Sequence, residues 1–308
     1  MSTSTVSETV SPGREQTDAA PTNVARTRDD HPSRARRSDA RPTAAPSGCR
    51  QTFGRAVRAE WVKIRSLRST WITSFIAVGI TVLLGAGTAI GYAASPELAE
   101  DAKHAIVFGS SFGQIVVAVL GALIITGEYT SGQIRSSLAA VPHRSRVLAA
   151  KALVASMLAF CIGAVSILVS WAVSTPFMHG YSGSLTDMHY FGYVWGTGLS
   201  FVVIALMALG LGFLMRSTAG SITVVMTLLF VLSVPLSLMA MKWDWASSLI
   251  ALLPLNVATA VADPFSLVTA WGAQNGASLS HMQAILVFSA WGIVPLLAGW
   301  VLFARRDA

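Results

Sequence analysis

Charge is what this chain has least of: 12% of its 308 residues are Asp, Glu, Lys or Arg, 53% are hydrophobic, and mean hydropathy is +0.58. About a quarter of an ordinary soluble domain is charged, so this composition belongs to a membrane protein. Cysteine is nearly absent too. Cys49 and Cys161 fall in a polar tail and inside an apolar run, leaving neither a disulfide framework nor a cysteine metal cluster. No GxxxxGK[ST] phosphate loop occurs, so the chain does not hydrolyse ATP by itself. HExxH and a serine nucleophile elbow are missing, and the six histidines are scattered. Neither a catalytic nor a metal-ligating set is expected; Asp187 and His189, with His179 upstream, are better explained as loop polarity. The long apolar runs contain no Asp, Glu, Lys or Arg to relay protons, which argues against ion-driven secondary transport. The first 50 residues lack an apolar core, so no signal peptide is expected there.

What is present is a succession of uncharged runs at 71–94, 105–127, 152–178, 188–215, 217–241 and 282–304. Each is long enough to cross a hydrocarbon core of about 30 Å as a helix, and lipid forces the backbone to satisfy itself internally. Six membrane-spanning helices are therefore expected. Residues 245–262 are also uncharged but carry Pro254 and Asn256 in the middle. Counting them as a seventh span would put Arg305 and Arg306 opposite the basic N-terminal part; a broken, re-entrant or interfacial outer segment fits better. With six spans, twenty of the 22 Lys and Arg fall on one side, and only Lys103 and Lys242 on the other. The positive-inside rule then makes both termini cytoplasmic in a multi-pass plasma-membrane protein. Small residues recur at four-residue spacing, as in Gly109 with Gly113 and Gly192 with Gly196, a pattern that permits close helix approach.

Residues 1–52 are rich in Ser, Thr, Pro, Ala and Arg and read as a disordered basic cytoplasmic tail. Residues 53–308 hold the transmembrane domain, opening with a basic amphipathic helix at 53–70. Phe53, Val57, Trp61, Ile64 and Leu67 cluster on one face of it; Arg55, Arg58, Lys63 and Arg65 lie around the rest. Such a helix lies in the inner membrane interface, and anionic lipid headgroups are a better partner for its charge than nucleic acid. Glu60 falls on its apolar face, where a local pair with Lys63 is the simpler explanation and a buried anchor on another helix the sharper one.

The stretch 127–151 is a polar and basic island between two apolar runs. Glu128 is its first charge. Ile134, Leu138 and Val141 share a face that Pro142 ends, giving a short membrane-parallel helix whose apolar ridge can enter a groove on a cytosolic partner. Arg146 and Lys151 are expected to snorkel to the interface. An ordinary interfacial loop obeying the charge rule is the alternative.

Glu128-Tyr129-Thr130-Ser131-Gly132-Gln133-Ile134-Arg135-Ser136-Ser137-Leu138, followed by Arg144-Ser145-Arg146-Val147-Leu148, resembles the first intracellular loop of type-2 ATP-binding-cassette (ABC) exporter permeases, most of all their actinobacterial members. Glu60-Trp61-Val62-Lys63-Ile64-Arg65, Leu253-Pro254-Leu255-Asn256 and Arg305-Arg306-Asp307-Ala308 match the same group in the same order. The resemblance implies an all-α integral membrane fold: six transmembrane helices, an N-terminal interfacial helix, a cytoplasmic coupling helix between spans 2 and 3, and re-entrant helices before span 6. It implies a homodimer without bound cofactor, driven by a separate ATPase subunit that holds ATP and magnesium. Glu128, Tyr129, Gly132, Ile134, Arg135, Leu138, Arg144 and Arg146 would then contact that ATPase. Glu60, Trp61, Lys63 and Arg65 would belong to the interfacial helix, and Pro254 and Asn256 to the outer segment. The 50-residue tail, and Val257-Ala258 after the Asn, depart from the group's pattern. The function expected is export of an amphipathic or hydrophobic substrate; a membrane-embedded binding or sensing protein with a cytoplasmic regulatory partner is the alternative.

Overall fold

The computed structural model describes residues 52–134, 144–263 and 279–305. Among these all regular structure is helical. An elbow helix, Phe53–Ser66, precedes six spans: Arg68–Ala93, Ala99–Ser131, Ser145–Phe177, Met188–Met215, Thr218–Ala240 and His281–Phe303. The expected helix at 53–70 stops short because Leu67 is extended (φ −82°, ψ 120°), and Trp71 folds back to donate from its indole Nε1 to the Arg65 carbonyl at 2.9 Å. That corner lets the elbow lie across the bundle end while span 1 enters it. Span 2 starts earlier than the apolar run suggested, through one-turn pieces at Ala99–Asp101, Ala102–Ala105 and Ile106–Gly109.

Span 4 is the axis. In its most apolar stretch 67% of the residues are buried, against 11% in span 5 and 17% in span 6, so lipid or another chain must cover the latter two. Glycines set how closely its neighbours approach. A side-chain carbon on Gly121 of span 2 would stand 2.5 Å from the Ala205 carbonyl oxygen, and one on Gly163 of span 3 would stand 2.9 Å from the Gly198 Cα. Gly210 faces Pro295 of span 6 in the same way, at 2.5 Å from its carbonyl carbon. Close backbone approach replaces the hydrophobic driving force that helices lose in lipid. The four-residue spacings noticed in the sequence serve two different contacts: Gly109 and Gly113 admit Thr81 of span 1, and Gly196 admits the carbonyls of Val261 and Ala262.

Span 5 is irregular where its sequence says it must be. Thr227–Val231 forms a π-helical turn, closed by Leu232 N donating to Thr227 O at 2.9 Å. Pro235, in the next turn, has no N–H to continue the ordinary ladder, and the wider turn absorbs the mismatch.

The uncharged segment before span 6 is two short helices, Asp244–Leu252 and Pro254–Ala262, bent by 61°. Leu253 precedes proline and takes the extended conformation that position favours (φ −65°, ψ 144°). Asn256 Nδ2 staples the corner by donating to the Ile250 carbonyl at 2.7 Å, and Trp291 Nε1 donates to the Leu252 carbonyl at 2.9 Å. Trp291 lies ten residues into span 6, about 15 Å from its start, and Ala262 packs against Gly196, eight residues or about 12 Å into span 4. The pair therefore packs inside the bundle with a sharp bend, the shape of a broken span or a re-entrant loop. Trp291 is the tether that keeps the corner at depth.

Gly121→Val is expected to lower the thermal unfolding midpoint of the detergent-solubilised protein, costing about 1–3 kcal/mol, since its Cβ meets backbone that cannot yield. Gly79→Val, with nothing within 4 Å of its Cβ, should leave the midpoint unchanged. Asn256→Ala removes the staple at the corner and should cost about 1 kcal/mol in the same measurement.

Candidate functional site at the basic end of the bundle

Four charged side chains from three helices meet where the elbow crosses the ends of spans 2 and 3. Lys151, wholly buried on span 3, places its Nζ 2.7 Å from Glu60 Oε2 of the elbow and 2.5 Å from Glu128 Oε1 of span 2. Lys63, on the elbow, pairs with the same Glu128 oxygen. Two cations and two carboxylates leave the cluster neutral, and Glu60 and Glu128 are 8% and 3% exposed. Ions withdrawn from water in this way cost several kcal/mol each unless their partners hold them in good geometry. Here each buried charge is met from another helix, so the cost is recovered only when elbow, span 2 and span 3 are seated together.

This arrangement corrects two sequence expectations. Glu60 is the buried anchor: its carboxylate reaches Lys151, 91 residues away, while Lys63 turns to Glu128. Lys151 does not snorkel outward, because two carboxylates lie closer than the interface does. The packed face of the elbow also differs from its most apolar face. Ala56, Glu60 and Ile64 are buried, while Phe53 and Trp61 are 43% and 41% exposed and left for lipid. Arg65 is exposed beside them.

Beyond Glu128, span 2 ends on Gly132 in the left-handed conformation (φ 71°), its N–H reaching the Tyr129 carbonyl at 3.4 Å. Only glycine enters that region without steric cost, so the chain turns out of the span here. Ile134 is 5% exposed and packs with Leu148, Phe213 and Phe303; it pins the start of the loop to the bundle and is not part of a free ridge. Arg135 and Leu138 lie outside the described residues, as does the side chain of Arg144; Arg146 is exposed at the head of span 3.

Sequence reasoning counted Arg216 only as one more inside charge. It ends span 4 in the left-handed conformation (φ 52°), and its guanidinium sits 5.3 Å from the centre of the half-buried Tyr129 ring. Two residues on, Thr218 donates to Thr126 Oγ1 at 2.7 Å, so the turn between spans 4 and 5 is fastened to the end of span 2. A signal for the ion cluster was available. Between Phe53 and Arg305, Glu60 and Glu128 are the only carboxylates on the side that holds twenty cations.

The outer segment residues are placed elsewhere: Pro254 is buried at the bend and Asn256 holds it, at the opposite end of the bundle. Asp187, also at that end, caps span 4. It accepts from His189 Nδ1 at 2.9 Å and from the His189 backbone N–H at 3.3 Å, and these hydrogen bonds hold its carboxyl below the usual aspartate range. Its capping bond is thus fully present at neutral pH and is lost only as pH falls through that lowered value. Among the described residues no group of three ligands is placed to hold a metal ion.

Charge balance at Lys151 makes a testable distinction. Lys151→Met should destabilise the protein by about 3–5 kcal/mol, as loss of one member of a buried ion set does. Adding Glu60→Gln to it should restore part of that loss, because Glu128 and Lys63 then balance again; the unfolding midpoints of the two variants check this.

Residues 56–308 match the family model described as "ABC-2 family transporter protein". No curated protein matches the chain.

Proposed function

The chain belongs to the ABC-2 transporter family, a family of membrane transport components, and from that premise we propose that it is the membrane-spanning permease subunit of an exporter. It moves an amphipathic or hydrophobic substrate with ATP hydrolysed, with magnesium, on a separate subunit, and it works as a homodimer in the plasma membrane with both termini cytoplasmic.

The observation that carries this reading is the ion cluster at the root of residues 131–146. A helix lying in that loop and pushed by an ATPase would pull on Glu128 on one side and Lys151 on the other. Both are locked to the elbow, so a displacement of the loop moves elbow, span 2 and span 3 as one body. Rigid charge pairing suits force transmission because an ion pair in a dry site cannot slide without breaking. Gly132 supplies the hinge: the chain changes direction there, at a residue free of the Cβ penalty. Arg135, Leu138 and Arg144 are assigned to the ATPase contact by position in the loop, with Tyr129 and Arg216 closing its flank. The exposed Arg55, Arg58, Arg65 and Arg68 face anionic headgroups and keep the elbow in the interface. The uncharged spans favour an apolar or amphipathic cargo.

The test is reconstitution of this chain in liposomes with a partner ATP-binding-cassette ATPase, sought first among the neighbouring genes, followed by ATP-dependent movement of a panel of amphipaths. Complex formation and movement of at least one compound are expected. Arg135→Glu should abolish co-purification of the ATPase while leaving the permease folded. Gly132→Pro, which forbids the positive φ, should uncouple ATP hydrolysis from movement. A permease that binds no ATPase, or two variants as active as the parent, would sink the mechanism in favour of a sensing protein.

A further inference from the structure

Most hydroxyls inside the bundle bond back to their own helix. Thr81, Thr126 and Ser166 donate to the carbonyls four residues earlier at 2.8, 2.9 and 2.7 Å, which is how a hydroxyl is made tolerable in lipid. Ser170 of span 3 departs from this habit singly, and one seam departs from it as a group. Ser110 and Gln114 of span 2 and Thr197 and Ser200 of span 4 are all fully buried. Gln114 Nε2 donates to Ser200 Oγ at 3.3 Å, a long bond, while Gln114 Oε1, Ser110 Oγ and Thr197 Oγ1 have no partner. Two parallel spans therefore bring three unsatisfied oxygens into a stretch with no water of its own.

Their positions form one column. Gly121 lies against Ala205 and Gln114 against Ser200, so the next turn outward brings Ser110 to the level of Thr197. Tyr193, Thr197 and Ser200, at i, i+4 and i+7, share one face of span 4. At the top, Tyr193 Oη meets His104 Nδ1 at 2.5 Å. From Tyr193 to Ser200 is about 10 Å along the helix. Below Gln114 the seam turns apolar, with Val117, Leu120, Phe201 and Ala205 closing it. The column thus starts at the end opposite the ion cluster and stops inside the bundle.

We propose that Ser110, Gln114, Thr197 and Ser200 form a binding site for a small neutral group that both donates and accepts hydrogen bonds: water, or the hydroxyl of an amphipath. None of the four is charged, so an ion finds no counter-charge there. Two hydroxyls able to donate, beside an amide oxygen able only to accept, ask for a ligand with both capacities. Buried polar atoms without protein partners are the ordinary setting of an internal water. The site stands whether or not the chain exports anything.

The experiment is X-ray radiolytic footprinting of the full chain in lipid nanodiscs, where hydroxyl radicals formed from a bound water oxidise the side chains beside it. Phe201 is fully buried and its ring abuts Gly113, next to Gln114; Phe288 is equally buried among apolar groups. Phe201 should be oxidised several-fold faster than Phe288. With 1-octanol added, saturable protection of Phe201 identifies an amphipath hydroxyl as an acceptable occupant, and unchanged oxidation identifies water alone; either outcome supports the site. The variant carrying Ser110→Ala and Thr197→Val keeps the packing and should bring Phe201 down to the rate of Phe288. Parent protein in which Phe201 is as slow as Phe288, or a variant in which it stays fast, overturns the proposal.

Discussion

A lysine with no access to water governs the basic end of this molecule. Lys151 is buried on span 3, and its ammonium is tolerable only because Glu60 and Glu128 arrive from two other helices. The dependence runs both ways, since Glu60 would be an uncompensated charge without it. Lys63 balances the second carboxylate and leaves the set neutral. The consequence is geometric. The elbow cannot lift from the bundle, and span 2 cannot part from span 3 at this end, without exposing or orphaning a charge.

Span 4 plays the complementary part along the rest of the structure, where no charge is available. Its neighbours are drawn in by missing side chains: Gly121 against Ala205, Gly163 against Gly198, and Gly210 against Pro295. The bent pair reaches the same axis through Gly196 and is held at depth by Trp291 and Asn256. Spans 1, 5 and 6 show apolar surface outward, as elements facing lipid or a second chain must.

The two ends therefore solve the problem of polar groups in a dry place differently. At the basic end every buried charge has its counter-charge. Along the seam between spans 2 and 4, three oxygens are left open. The difference is one of charge: paired ions hold the basic end together even though Glu128 Oε2 has no hydrogen-bond partner, whereas the seam has only neutral oxygens.

Much of this was legible in the sequence. Hydropathy alone determined the six long spans, because an apolar run of that length satisfies its own backbone in lipid as a helix; the charge asymmetry argued for a broken segment before the last span, and Pro254 marked its corner. The loop motif named the family that residues 56–308 belong to. Partnership was not legible. Periodicity placed Glu60 on the elbow's apolar face but had no means of supplying Lys151, 91 residues away. Ile134 read as part of a ridge because its spacing to Leu138 is helical, and only packing against Phe213 and Phe303 showed it to be an anchor. Sequence by itself determined which segments enter the membrane, a matter of local composition. Tertiary structure decided which polar side chains find one another there, because that depends on the register between helices distant in the chain.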